Sequence, residues 1–277
     1  MEKKLRITIP NEIYNIIESD LIDFGITKNF LCNYIFENSD GFKEVYNYKY
    51  NGSKKIIQFN LNKKNLENYY SFLIEKNIEV EAEYFRNIFL YYAQQSKKSR
   101  ELFIFKKIAD KIVYGIENKK KIIVTFIDET KKIISPYYIA SSELELKNYL
   151  FCYDEEEKKF KNFTLRNIKT VYITEKKRYE DEMKFVNEVI KNFDPFLSYN
   201  KSVTVKFTDE GLKILNVIKT YRPKILEQKN NMIKFQCSEL QGKRYFSYFW
   251  NEVEILEPES LRLWFKNKVE KTFDIYK

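Results

Sequence analysis

A short strand followed by two helices occurs twice in the first part of the chain, and this repeat constrains the fold more than any other feature. Residues 5–10 alternate apolar and polar side chains, which predicts a half-buried strand. Asn11 and Thr27 can then begin two helices, each with apolar residues at helical spacing. The same order returns with a strand at residues 56–61 and a helix from Asn62. One strand and two helices cannot bury an apolar face alone, so the two copies are expected to pair.

This arrangement resembles ribbon-helix-helix proteins, in which two strands pair antiparallel and the ribbon enters the major groove of DNA. Here the copies at residues 1–40 and 54–95 lie in one chain, so the resemblance implies an intramolecular pseudo-dimer over residues 1–97. Strand alternation predicts that six residues face inward: Leu5, Ile7, Ile9, Ile57, Phe59 and Leu61. The outward residues are then Arg6, Thr8, Gln58 and Asn60.

The outward residues are candidates for contact with nucleic acid, because Arg, Thr, Gln and Asn side chains read base edges in a groove. Exposed strand residues are also simply polar in many proteins, so both interpretations stay open. In ribbon-helix-helix proteins the N-terminus of the second helix also holds a phosphate. The resemblance assigns this role to Thr27, Lys28 and Asn29 in the first copy, whereas Glu79–Val80–Glu81 of the second copy would repel a phosphate.

The middle of the chain predicts a small, closed, antiparallel barrel behind a helix at Phe103–Ile116 that follows a charged break at Gln95–Arg100. Four strands are expected, at Ile122–Ile127, Lys132–Ala140, Tyr149–Tyr153 and Phe163–Ile173. The segments Ser135–Ile139, Asn148–Tyr149–Leu150 and Phe163–Ile168 resemble a WYL domain, an Sm-like or SH3-like barrel of prokaryotic regulators. The family's Trp-Tyr-Leu tripeptide has Asn148 in place of Trp, and its closing Asp-Arg pair is Arg166–Asn167 here.

WYL domains are thought to sense ligands, often nucleic acid, through a basic and aromatic surface. Cations beside aromatic rings do favour single-stranded nucleic acid. The resemblance carries this role to Tyr137, Lys161 and Arg166, and also to Ser135 and Tyr149. A barrel that serves only as a structural spacer is the alternative.

The last part of the chain resembles the C-terminal extension of WYL proteins, which implies a ferredoxin-like α+β unit that mediates homodimerisation. Strands are expected at Val203–Phe207, Lys224–Leu226, Met232–Cys237 and Glu252–Leu256. Helices are expected at Asp209–Thr220, at the aromatic segment Tyr245–Trp250, and after Pro258. The predicted fold class is therefore α+β, with domains at residues 1–97, 98–175 and 202–277 and a connector at 176–201.

The composition argues against an enzyme, since the chain has no His and only three Cys with no CxxC spacing. We therefore expect no catalytic residues, no metal and no cofactor. No apolar run approaches the roughly 20 residues of a membrane span, and the first residues lack a signal-peptide core, so a cytoplasmic protein is expected. The net charge of +9 favours polyanionic partners, although the charges are scattered along the chain.

Two classes of function follow. The first is a nucleic-acid-binding regulator, because WYL proteins with a ribbon-helix-helix front end resemble the accessory proteins encoded beside type VI-D CRISPR effectors. Those proteins bind single-stranded RNA and stimulate an RNA-guided ribonuclease, so the partner is either RNA with such a nuclease or duplex DNA in transcription control. The second is a protein-interaction module in which both nucleic-acid surfaces have degenerated.

Overall fold

The computed structural model describes residues 3–43, 52–143 and 145–277, and it combines helices with antiparallel sheets. The α+β class predicted from the sequence is confirmed. The chain divides into two compact units. The first is Met1–Lys111 with Leu165–Thr170, and the second is Ile112–Thr164 with Val171–Lys277.

The first unit begins with two copies of a strand and two helices. The first copy consists of β1 (Lys4–Pro10), α1 (Asn11–Phe24) and α2 (Lys28–Glu37). The second consists of β2 (Lys54–Asn60), α3 (Lys63–Glu75) and α4 (Glu81–Gln94). Gly25 ends α1 at a φ of 63°, a left-handed conformation that glycine adopts without a Cβ penalty. The element order expected from the repeat is therefore present in both copies.

The two strands pair antiparallel and cover the helices with one face. All six residues expected to face inward are buried: Leu5, Ile7, Ile9, Ile57, Phe59 and Leu61. Aromatic rings from the helices continue this core, for example Phe36 and Phe85 with ring centroids 5.2 Å apart. A two-stranded ribbon is only marginally stable in water, so the burial against four helices is what holds it in place.

The helix expected at Phe103–Ile116 is wrong in its extent, since the structure has two helices, α5 (Lys97–Ile104) and α6 (Lys106–Glu117). The charged segment expected to be a break is mostly the beginning of α5. Phe103 and Phe105 both pack against the core of the first unit. Two residues so close in sequence point about 200° apart on a continuous helix, so burying both rings requires a break.

The central sheet has five strands in the order β6-β5-β4-β3-β7. They are β3 (Lys120–Phe126), β4 (Lys131–Ser142), β5 (Lys147–Asp154), β6 (Lys159–Thr164) and β7 (Ile168–Lys177). The single strand expected at Phe163–Ile173 is wrong, because a 3-10 turn at Leu165–Asn167 divides it. The turn buries Leu165 completely and takes the chain from the edge beside β5 to the edge beside β3. Helix α7 (Met183–Lys191) follows.

The C-terminal part has the order β-α-β-β-α-β and ends in a further helix. Its elements are β8 (Ser202–Phe207), α8 (Asp209–Val217), β9 (Lys224–Lys229), β10 (Met232–Gln236), α9 (Glu239–Phe246), β11 (Val253–Glu257) and α10 (Glu259–Tyr276). The strands pair antiparallel in the order β11-β8-β10-β9. This connectivity is that of a ferredoxin-like unit.

The aromatic helix expected at Tyr245–Trp250 is wrong, since α9 ends at Phe246 and a 3-10 turn covers Ser247–Glu252. Trp250 has a φ of 49° and a ψ of −118°, which no helix can include. The turn keeps Phe249 buried while it leaves Trp250 exposed.

Candidate nucleic-acid interface

The outward face of the β1–β2 ribbon is polar and open to solvent. The register sets Lys4 opposite Asn60, Arg6 opposite Gln58, and Thr8 opposite Ile56. All six side chains are exposed, and Ile56 keeps 52% of its surface in contact with solvent. The structure therefore brings the four predicted ribbon residues together on one face. It adds Lys4 and Ile56, which the alternation pattern also places there but which the sequence analysis did not single out.

The electrostatics of this ribbon are uniformly positive, because neither strand contains an acidic residue. Among the described residues, Lys4, Arg6 and Lys54 form no ion pair. Lys55 lies over the ring of Tyr14, with its Nζ 4.9 Å from the ring centroid. Cations without carboxylate partners are free to neutralise phosphates, and each such contact releases counterions.

Helix α4 fixes the ribbon from the side. Arg86 donates a hydrogen bond from Nε to the backbone oxygen of Thr8 at 3.0 Å. The bond occupies a carbonyl of the ribbon edge and leaves the Thr8 side chain exposed. The backbone of β1 at Thr8 is thus bound by a side chain of α4 in addition to its pairing with β2.

The start of α2, where a phosphate clamp was expected, is engaged within the protein. The Thr27 hydroxyl caps the helix by accepting a hydrogen bond from the Phe30 N–H at 3.2 Å. Lys28 forms an ion pair with Glu18 at 2.7 Å, and this hydrogen-bonded pair raises the pKa of Lys28. Asn29 accepts a hydrogen bond at its Oδ1 from the Asn60 N–H at 2.8 Å. This last bond places the start of α2 next to the end of the ribbon.

A buried asparagine network, which strand and helix periodicity did not predict, stabilises that same end of the ribbon. Asn33 donates to the backbone oxygens of Asn29 and Asn60, both at 2.8 Å, and accepts from the Asn62 N–H. Asn65 donates to Asn33 at 3.0 Å. Both side chains are almost fully buried. The only sequence signal was Asn33 itself, a polar residue among the apolar positions of α2.

The start of α4 differs from that of α2 in its charge. Val80 occupies the cap position and has no side-chain cap, and the first turn contains Glu81 and Glu83. Glu81 pairs with Lys3 at 3.0 Å, and the hydrogen bond between the same groups measures 3.1 Å. The first turn of α4 is therefore acidic, whereas that of α2 contains Lys28, and the repulsion of a phosphate by Glu79–Val80–Glu81 stays a prediction.

Of the residues assigned by resemblance in the middle of the chain, Ser135 and Tyr137 lie together but are buried. Ser135 donates to Glu155 at 2.6 Å and accepts from the Tyr179 N–H at 2.8 Å. Tyr137 donates its hydroxyl to the Tyr179 backbone oxygen at 2.6 Å, and burial raises the pKa of this phenol. Arg178 lies over the Tyr137 ring, 5.1 Å from its centroid. These groups hold the chain after β7 against β4.

Tyr149 and Lys161 are engaged elsewhere in the second unit. Tyr149 is buried and donates its hydroxyl to Glu145. Lys161 pairs with Asp154 at 3.3 Å and also with Glu157, and Lys132 reaches both acids at 2.8 Å. These lysine contacts hold the pKa of Glu157 well below its usual range. Lys159 also pairs with Glu157 at 2.8 Å, and this ionic cluster lies where β4, β5 and β6 adjoin.

Arg166 belongs to the first unit and is tied there. Its Nη1 donates to the backbone oxygen of Asp23 at 2.9 Å, and its Nε lies 3.7 Å from Glu101. Of the five residues carried over from the family, Ser135, Tyr137 and Tyr149 are thus buried, and Lys161 and Arg166 bind partners within their own units.

Clusters of metal ligands and membrane-spanning helices are both absent from the described residues. No group of three His, Cys, Asp or Glu residues could hold a metal ion there. No described helix is both long enough and apolar enough to cross a membrane.

Comparison with known proteins gives a fold relationship. No known family profile matches the chain, and no curated protein matches its sequence. Among solved structures, that of a CRISPR Cas-related protein superimposes with a TM-score of 0.74 at 17% identity, over 100% of this chain and 94% of the other. Proteasome accessory factor B/C (PafBC) of Arthrobacter aurescens gives a TM-score of 0.33 at 12% identity, over 96% of this chain and 49% of its own. The chain therefore shares its fold, along its whole length, with the CRISPR Cas-related protein.

Proposed function

We propose that this chain is a non-enzymatic regulator that binds nucleic acid with the outward face of the β1–β2 ribbon. One observation carries the proposal: Lys4, Arg6, Thr8, Gln58 and Asn60 share an exposed face on two strands that contain no carboxylate.

The dimensions and chemistry of the ribbon fit duplex DNA. A two-stranded ribbon enters a major groove about 12 Å wide, where Arg pairs with guanine and Gln or Asn with adenine. The exposed Ile56 offers an apolar contact for a thymine methyl group. Since α2 and α4 differ in the charge of their first turns, the preferred target is asymmetric rather than palindromic.

The wider role rests on two likenesses. The fold is shared with a CRISPR Cas-related protein, and the sequence resembles WYL proteins with a ribbon-helix-helix front end. We therefore propose a tandem ribbon-helix-helix unit, a WYL barrel and a dimerising extension, which serve either transcription control or an RNA-guided CRISPR ribonuclease.

The test is a binding titration of the full chain with duplex DNA, single-stranded DNA and single-stranded RNA. The R6A/Q58A variant should weaken duplex binding by about 1–3 kcal/mol for each base that the ribbon no longer reads, or roughly thirtyfold or more if both side chains contact bases. The control variant N216A/K219A removes one exposed amide and one exposed cation from the second unit.

Equal duplex affinities of R6A/Q58A and N216A/K219A would refute the ribbon as the contact surface. If no nucleic acid binds even at low salt, the protein-interaction alternative takes over. The acidic first turn of α4 and the engaged side chains of the central sheet favour that alternative.

A further inference from the structure

The C-terminal sheet has one face covered by helices and one face without them. Val203, Val205, Ile233 and Phe235 are buried in a core that includes residues of α8, α9 and α10. Successive side chains of a strand leave opposite faces of a sheet. The alternate residues of β8 and β10 therefore form a second, helix-free face, which we call the open face.

The two central strands of the open face carry no carboxylate. Their residues are Ser202, Thr204 and Lys206 on β8 and Met232, Lys234 and Gln236 on β10. Lys206 and Lys234 are exposed, and so is Lys224 on the edge strand β9. Ser202 and Gln236 add a hydroxyl and an amide group that can donate to an anion.

The register sets the three lysines on a diagonal across the sheet. Met232 pairs with Lys206, Lys234 with Thr204, and Gln236 with Lys224. Lys206 and Lys234 are thus diagonal neighbours on adjacent strands, and Lys224 extends the line onto the next strand. Diagonal neighbours lie about 7–8 Å apart, close enough for one extended anion to contact them in succession.

The acidic residues of the open face lie on the edge strands, and two of the three form ion pairs. Glu227 pairs with Lys229 at 3.0 Å, and Glu254 pairs with Arg262 at 2.8 Å. Glu257 accepts a hydrogen bond from Thr204 at 3.1 Å. In contrast, Lys206, Lys234 and Lys224 form no ion pair with any described residue. The register sets Lys206 opposite Glu254 and Lys234 opposite Glu227, but the open face still carries four lysines (Lys206, Lys224, Lys229 and Lys234) against three glutamates, so its net charge is positive.

We propose that the open face binds the phosphate backbone of single-stranded nucleic acid. Four strands span about 14 Å, which exceeds the major groove of about 12 Å, so the face cannot enter a duplex as the ribbon can. A flexible single strand can instead lie along the diagonal. The strands contribute no aromatic residue to this face, although Tyr199 lies beside Lys224 and Gln236 at one end of it, so binding along the diagonal is independent of sequence. All of these residues belong to the second unit, so the proposal does not depend on the ribbon.

The experiment measures fluorescence anisotropy of a labelled single-stranded oligonucleotide, tested as DNA and as RNA, with the full chain at several salt concentrations. K206Q/K234Q should lower affinity roughly ten- to thirtyfold at about 0.1 M salt. It should also reduce the slope of log affinity against log salt by about 1.4, since each single-strand phosphate contact contributes about 0.7. The matched control is K219Q/K266Q, which removes two exposed lysines that lie outside the strands of the same unit.

The outcomes separate this proposal from the proposed function. Loss of single-strand binding by K206Q/K234Q with unchanged duplex binding supports the open face, whatever R6A/Q58A does to the duplex. An equal loss in K219Q/K266Q would show a general charge effect and overturn the site. An unchanged affinity of K206Q/K234Q, or no single-strand binding by the parent protein at low salt, would also overturn it. Equal thermal unfolding midpoints establish that the variants are folded.

Discussion

Some polar side chains of the protein are exposed to solvent, and others are buried in hydrogen bonds with other residues. Strand alternation predicted the exposed ones but not the buried ones. Arg6 and Gln58 are exposed, as the alternation predicts. Asn33, Ser135 and Tyr137 are buried with their hydrogen-bonding groups engaged. Partners such as Asn60 and Tyr179 come from distant parts of the chain, so the local sequence could not identify them.

The buried ion pair of the first unit gives a stability prediction at a single residue. Asp20 is fully buried and receives hydrogen bonds from Arg100 at 2.6 and 3.0 Å and from the Tyr92 hydroxyl at 2.8 Å. Asp20→Ala should lower the free energy of unfolding by about 3–5 kcal/mol, because the guanidinium then stays buried without its counter-charge. Urea unfolding measures the change.

A matched control for this variant is Asp40→Ala. Asp40 pairs with Lys76 at 3.1 Å but is 75% exposed, so its removal should change the free energy of unfolding by less than about 1 kcal/mol. If Asp20→Ala and Asp40→Ala lowered the free energy of unfolding by similar amounts, the buried ion pair would not be more stabilising than the exposed one.

Gly211 gives a second prediction at this scale. A Cβ atom there would lie 2.3 Å from the backbone oxygen of Glu252, which also accepts the Thr208 N–H. Gly211→Ala should therefore destabilise the protein by about 1–3 kcal/mol through overpacking. Thermal unfolding compares it with Gly41→Ala, where a Cβ would meet nothing within 4 Å. The control should be neutral, and a neutral Gly211→Ala would refute the close approach.

Among whole elements, the strands and helices of the repeat follow from periodicity, whereas element boundaries depended on distant partners. Phe103 and Phe105 both pack on one core, which breaks the predicted long helix. Leu165 is buried in a turn that moves the chain between the two edges of a sheet. Periodicity reports which residues are apolar, but it does not report which neighbour they pack against.

Helix α10 offers a surface for the homodimer that the sequence resemblance implies. Val269, Phe273 and Tyr276 are 63%, 66% and 85% exposed, and their spacing places them on one face. If this face pairs with a second copy, V269S/F273S should convert a dimer into a monomer in sedimentation equilibrium. Leu263→Ser, at an exposed position on the polar side of α10, should leave the dimer unchanged. A V269S/F273S dimer would place the interface elsewhere.

At the scale of the whole molecule, the three cysteines lie in three different parts of the fold, so their reactivity can measure the opening of each part. Cys32 lies in the core of the first unit, Cys152 in the central sheet and Cys237 in the core of the C-terminal part. Burial raises the pKa of Cys32 and of Cys237 to about 12, and it raises that of Cys152 well above its ordinary value. The reactive thiolate is therefore scarce at neutral pH.

Ellman's reagent tests this protection. At about pH 8 the folded protein should react negligibly, whereas the urea-unfolded protein should release three equivalents of chromophore, since every thiol is free. Rapid native labelling of any one cysteine, located by mass spectrometry, would identify a region that opens independently of the other two.

The sequence by itself determined the α+β class, the two strand-helix-helix copies and the exposed ribbon face of Arg6, Thr8, Gln58 and Asn60. It could do so because alternation and helical periodicity are local consequences of backbone geometry. Only the tertiary structure decided that Ser135, Tyr137 and Tyr149 are buried, that Arg166 is tied to Asp23, and that Lys206 and Lys234 share an open face. Each of those outcomes depends on strand pairing or burial between residues far apart in the chain, where periodicity carries no information.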